Sequence, residues 1–173
     1  MKHHLLLFIP LLAVSCTTHR SNHMLSHDMK RPGVEPVCFQ VKENDSEMNH
    51  AVRTARKTVN TFINALQHPI ATQRDFQVKK PCVHMGVCEH IWLSNVTYSG
   101  GWLHGKVDNR PVHCVGLKMG NPLSVDPHEI TDWAFVNNGR LVGGYTIRVL
   151  FNELSPERKK DFEKTANFKI THP

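Results

Sequence analysis

Apolar positions along the chain follow two rhythms. Met48, Ala51, Val52, Ala55, Val59, Phe62, Ile63 and Leu66 recur at helical spacing, with Arg53, Arg56, Lys57 and Asn60 on the other side. This stripe predicts one long amphipathic helix of about five turns, with its apolar side on a sheet. Asn44-Asp45-Ser46 offers N-caps, Glu47 follows Asn44 at the spacing of a capping box, and His68-Pro69 stops the run. Beyond that point the period shortens to that of strands.

The predicted strands are Val37–Val41 ahead of the helix, then Phe76–Lys79, His90–Tyr98, Trp102–Val107, Val112–Val115, Leu123–Val125, Trp133–Val136 and Leu141–Leu150. Ser99-Gly100-Gly101 and Asp108–Pro111 punctuate them, and Asp126–Glu129 reads as a single turn. Asn138-Gly139 is a hairpin signal, because both central positions of a type I′ turn need positive φ. In that register Ala134 faces Gly143, and Gly143-Gly144 marks a bulge or a seat for the Trp133 ring. Ser155-Pro156-Glu157 opens a short C-terminal helix. The expected class is α+β: a strongly curved antiparallel sheet or small open barrel of about seven short strands, one long N-terminal helix and a short C-terminal helix.

The first residues alter the picture. Met1–His4 is basic, Leu5–Val14 is apolar, and Ser15-Cys16 ends the run. This describes an export signal, and about ten apolar residues fall short of the roughly 20 that a membrane-spanning helix needs. Ala13-Val14-Ser15-Cys16 resembles a lipobox, with Ala13 in place of the usual leucine. That resemblance implies cleavage before Cys16 and acylation of its thiol, and acyl chains would hold the chain to a bilayer. Thr17 after the cysteine points to the outer membrane. Residues 1–15 are thus read as signal, 16–36 as polar tether, 37–154 as globular domain and 155–173 as C-terminal helix and tail. The expected location is the periplasm-facing envelope.

Hydrophobic residues make up 40% of the chain, enough for a core, and the formal charge is +6. That excess suits anionic surfaces such as lipid headgroups. The basic runs Lys79-Lys80 and Arg158–Lys160 are too short for a nucleic-acid face.

With Cys16 acylated, Cys38, Cys82, Cys88 and Cys114 remain, an even set for an oxidising compartment. Cys82 and Cys88 flank a loop-like segment, and a disulfide between them is expected, with Cys38–Cys114 as a second bridge if their strands are neighbours. Cys82, His84, Cys88 and His90 form an alternative zinc set. His19, His23 and His27 recur every four residues and would share one helical face able to bind a metal, although their polar setting reads as tether. No cofactor is expected.

Three stretches carry a family resemblance: Phe76–Lys79, Glu89–Val96, and Ile130–Trp133 continuing through Asn138–Thr146. With the helix from Met48, they resemble the bacterial YegJ-like family, catalogued as domain of unknown function 2314, from about Val37 to Leu150. The resemblance implies the domain limits and no reaction. The cysteines at 82, 88 and 114 depart from the family pattern.

Glu89, His90 and Asp132 are the candidate catalytic residues, with Asp108, Tyr145 and Thr146 beside them. Glu89 and His90 are strand neighbours and point to opposite faces, so they share no pocket without a bulge. No nucleophile elbow, phosphate loop, HExxH or dinucleotide fingerprint occurs. Trp92, Trp102 and Trp133 could line a groove but suit a core better. The resulting expectation is a non-catalytic binding or interaction domain tethered in the envelope, with a membrane contact through the lipid and a protein partner, of which an immunity-like inhibitor is one form. The alternatives are an envelope hydrolase using Glu89 or Asp132 and a periplasmic metal binder.

Overall fold

The computed structural model describes residues 45–171. The helical stripe forms two helices, α1 (Ser46–Lys57) and α2 (Val59–Gln67). Asp45 is the N-cap, its carboxylate accepting from Met48 N at 2.8 Å. The expected single helix breaks at Thr58 for a tertiary reason. The Ala55 carbonyl receives the Trp133 indole N–H at 2.9 Å, and the Thr58 hydroxyl donates back to Thr54 O at 2.7 Å. Foreign donors entering the carbonyl ladder are a recognised cause of helix kinks. The stripe survives the break, since Ala51, Val52, Ala55, Val59, Phe62 and Ile63 are all buried.

The sheet is antiparallel and open, ordered β4-β3-β2-β1-β5-β6. Its strands are β1 (Gln73–His84), β2 (Val87–Ser99), β3 (Trp102–Val107), β4 (Pro122–Val125), β5 (Asp132–Asn137) and β6 (Arg140–Gly143). Among the described residues six strands thus stand where about seven were expected, and β1 and β2 are long, at 12 and 13 residues. The supposed cysteine loop is strand, because β1 and β2 stay paired as far as His84 opposite Val87. The expected strand at Val112–Val115 is a loop, whose amides are claimed by Glu89 (below). The expected strand at Leu141–Leu150 stops at Gly143 and Gly144, both at positive φ, and continues as α3 (Tyr145–Asn152). The strand Val37–Val41 lies outside the described residues.

Other local readings hold. Asn138 (φ 49°) and Gly139 (φ 72°) form the tight turn, and Ala134 pairs with Gly143. Ser155 caps α4 (Pro156–Ala166), with Pro156 in its first turn.

Both faces of the sheet are covered. On one, α1 and α2 bury Val78, Ile91, Leu93, Trp133 and Phe135. Phe62 meets the Trp133 ring at 5.6 Å, and Phe76 stacks on Phe135 at 4.9 Å. On the other, Trp92, Ala134, Val136 and Leu141 pack with Ala166 and Phe168 at the end of α4. The chain then runs beside β6, with Lys169 and Leu141 joined by a backbone bond of 2.9 Å. No helix among the described residues is long and apolar enough to cross a membrane.

Candidate functional site

Strand register decides which candidate residues meet. Directly opposed residues of an antiparallel pair share a face, and a shift of one residue changes faces. Cys82 opposes Glu89, while Cys88 opposes Val83. Cys82 and Cys88 therefore project from opposite faces, and the expected bridge between them does not form. Cys82 is instead bonded to Cys114, 32 residues away, and Cys88 is disulfide-bonded without Cys82. The same parity separates Cys82 and His84 from Cys88 and His90, so the four cannot surround one zinc ion. Among the described residues no cluster of His, Cys, Asp or Glu is suited to a metal. Cys16, Cys38, His19, His23 and His27 lie outside the described residues.

Glu89 anchors a loop. Its carboxylate accepts from Val112 N (2.8 Å), His113 N (2.9 Å) and Cys114 N (3.2 Å). Successive amides converging on one anion form a nest. Together the carboxylate and the Cys82–Cys114 bond fasten the 108–121 loop to the β1–β2 hairpin. In the chain-entropy description, closing the 32-residue span between these cysteines stabilises by about 4 kcal/mol. Cys82→Ser/Cys114→Ser is expected to lower stability by about that amount, as read from urea unfolding midpoints.

Asp132 is fully buried on the opposite face from Glu89, facing Lys79 across the β1–β5 ladder. It accepts four hydrogen bonds: Trp133 N (2.9 Å) and Tyr145 N (3.0 Å) on Oδ1, Thr146 N (2.9 Å) and the Thr146 hydroxyl (2.5 Å) on Oδ2. It thereby satisfies the orphan amides of the first turn of α3, which has no capping side chain of its own. The Lys79 ammonium donates to the Thr146 hydroxyl at 2.6 Å and sits 5.3 Å from the Trp92 ring centre. Burial pushes the Asp132 carboxyl up and the Lys79 ammonium down, and each partly offsets the other's shift. Lys79 and Thr146 complete the unit. In the sequence Lys79 stands at the end of a strand in a basic pair, a pattern that does not foretell that the second face is covered.

His90 shares this face. Burial first, and the Lys79 charge second, push its imidazole down from 6.5 to about 3. The folded chain therefore binds fewer protons than the unfolded chain between those values, and stability falls as pH drops through that window. The fall approaches about 1.4 kcal/mol per pH unit. Urea titrations across the window are expected to show it, and His90→Leu is expected to flatten the curve.

Beside this unit, Gln77 donates to Asp108 at 2.8 Å, and Asn109 Oδ1 accepts from Trp92 N at 2.7 Å. Burial pushes the Asp108 carboxyl up, opposed by hydrogen bonds from Ser94 and Gln77. These contacts extend β2's pairing beyond β3. Trp133 is core, Trp92 is buried beneath α4, and Trp102 is exposed at the far end of β3. Glu89 and Asp132 stand on opposite faces of the sheet and so form no carboxylate pair. The polar groups are spent on joining elements.

The chain is similar in sequence to known proteins. The family model described as an uncharacterized protein conserved in bacteria, DUF2314, matches residues 45–170. A Neisseria meningitidis protein named as an ankyrin repeat protein is 29% identical over 137 residues, covering 75% of this chain and 54% of that protein. The uncharacterized protein YegJ of Escherichia coli is 34% identical over 100 residues, covering 58% of this chain and 64% of that protein. The chain thus spans about half to two thirds of the length of these curated relatives. No solved structure matches.

Proposed function

The chain belongs to the DUF2314 family of uncharacterized bacterial proteins, and we propose that it is an envelope-tethered lipoprotein whose folded domain binds rather than catalyses. The observation that carries this reading is the occupation of Glu89 and Asp132 by donors of the fold. A general acid or base must reach the proton it moves, and Glu89 and Asp132 already accept three backbone amides and four donors respectively. They also lie on opposite faces of the sheet, which speaks against a hydrolase that uses both. Oxidised cysteines support export to an oxidising compartment. Acylation at Cys16 supplies the anchor, and the outer membrane is the proposed site. A partner protein held in the manner of an immunity-like inhibitor is one form such binding takes.

Fractionation and envelope assays test the reading. Cys16→Ser is expected to let a high-salt wash strip the chain from membranes, whereas the acylated chain stays bound through that wash. Purified chain is expected to release no sugar, peptide or lipid fragment from isolated envelopes beyond a heat-inactivated control. Release by the native chain alone, or a Cys16→Ser chain that stays bound through the wash, would overturn it.

A further inference from the structure

The end of the sheet where β1 turns into β2 carries an apolar surface that the core does not use. Met85 at the hairpin apex is 90% exposed, and Val115 and Val112 on the fastened loop are 79% and 73% exposed. Val83 and Val87, which flank the apex, are exposed as well. Isolated exposed apolar residues are ordinary, whereas a group concentrated on two linked segments marks an interaction surface.

Two further observations narrow the occupant. First, the charge on these two segments has one sign. Neither residues 80–88 nor residues 109–125 contain an Asp or Glu, yet they carry Lys80, His84, Arg110, His113 and Lys118. Arg110, His113 and Lys118 are exposed. Glu89, which follows the hairpin, is turned inward onto the loop amides, and Glu129 acts on Lys80 further from the apex. Second, Met85 sits at φ 48° beside Gly86 at φ 76°. Asn, Asp or Gly suits a first turn position of this kind, and most other side chains there cost about 1 kcal/mol. The turn therefore keeps a thioether at its apex against local preference, and such strain points to use.

We propose that this tip docks on an anionic lipid surface, with Met85, Val112 and Val115 entering the headgroup layer and Arg110 and Lys118 meeting lipid phosphates. Exposed apolar side chains with cations on the adjoining loop match a bilayer boundary, which is greasy within and anionic at its rim. The loop is pinned through Cys82–Cys114 and Glu89, so the two segments present one preformed surface. This assignment names the ligand class of the binding reading above and rests on it.

The test uses the full chain carrying Cys16→Ser, exported so that its disulfides form, and floated with vesicles. One set contains equal parts phosphatidylglycerol and phosphatidylcholine, the other phosphatidylcholine alone. Binding to the anionic set is expected to be stronger by roughly tenfold or more. Met85→Asn with Val115→Ser is expected to abolish it without lowering the thermal midpoint, because asparagine suits the turn. Ile70→Ser, exposed on the α2–β1 connection, is expected to leave binding unchanged. Equal binding to both sets, or retained binding by the Met85→Asn/Val115→Ser chain, would overturn the lipid assignment. Loss of a cross-linked envelope protein from that variant, with no vesicle binding by either chain, would overturn it too while leaving the binding-domain reading intact.

Discussion

Asp132→Ala is expected to destabilise the fold by about 4 kcal/mol, within the range for breaking a buried charged network by removing one partner. The substitution strands the amides of Trp133, Tyr145 and Thr146 in the interior and leaves Lys79 facing a hydroxyl without its carboxylate. Each orphaned buried donor costs about 1–3 kcal/mol, partly relieved by rotation of the threonine. Asp132→Asn keeps one carbonyl acceptor and is expected to cost roughly half as much. Urea unfolding followed by tryptophan fluorescence would measure both, since Trp133 adjoins the site. Equal stability of wild type and Asp132→Ala would mean that α3 does not depend on this carboxylate.

Gly143→Ala is expected to be nearly as damaging, at about 4 kcal/mol, of which the left-handed backbone contributes roughly 1 and overpacking the rest. Gly143 has φ 70°, and a β-carbon there would lie 2.4 Å from both the Trp133 carbonyl oxygen and its ring. Neither neighbour can give way. That carbonyl accepts Gly144 N at 2.7 Å, and the ring is held by Phe62, Tyr145 and the Ala55 carbonyl. The same thermal or urea scan would report the loss. By contrast, Gly139→Asn is expected to change stability little, because nothing lies within 4 Å of its missing β-carbon and asparagine tolerates positive φ.

Local chemistry made part of this fold readable. The Asn138-Gly139 turn, the Ala134–Gly143 register and the seat for Trp133 follow from which residues accept positive φ. The N-cap of α4 follows from serine followed by proline. What escaped depends on distant partners. Tyr145–Phe151 is rich in strand formers, and it becomes helical because Asp132, 13 residues upstream of Tyr145, caps it. The stripe from Met48 reads as one helix because the indole that interrupts it enters from β5. Disulfide choice turned on the parity of the β1–β2 register, which a segment mistaken for loop could not reveal. Of the candidate site, the positions of Glu89 and Asp132 on strands are legible, but their partners are not, because a carboxylate that fastens backbone amides and one that moves protons look alike in sequence.

The two outer strands have a consequence for crowded surroundings. β4 and β6 are four residues each. β4 opens with Pro122, which has no amide to offer, and β6 is flanked by the returning Lys169 segment. Neither rim offers a stranger a long run of vacant amides and carbonyls. Copies gathered side by side can therefore stay separate molecules, without zipping together into fibres.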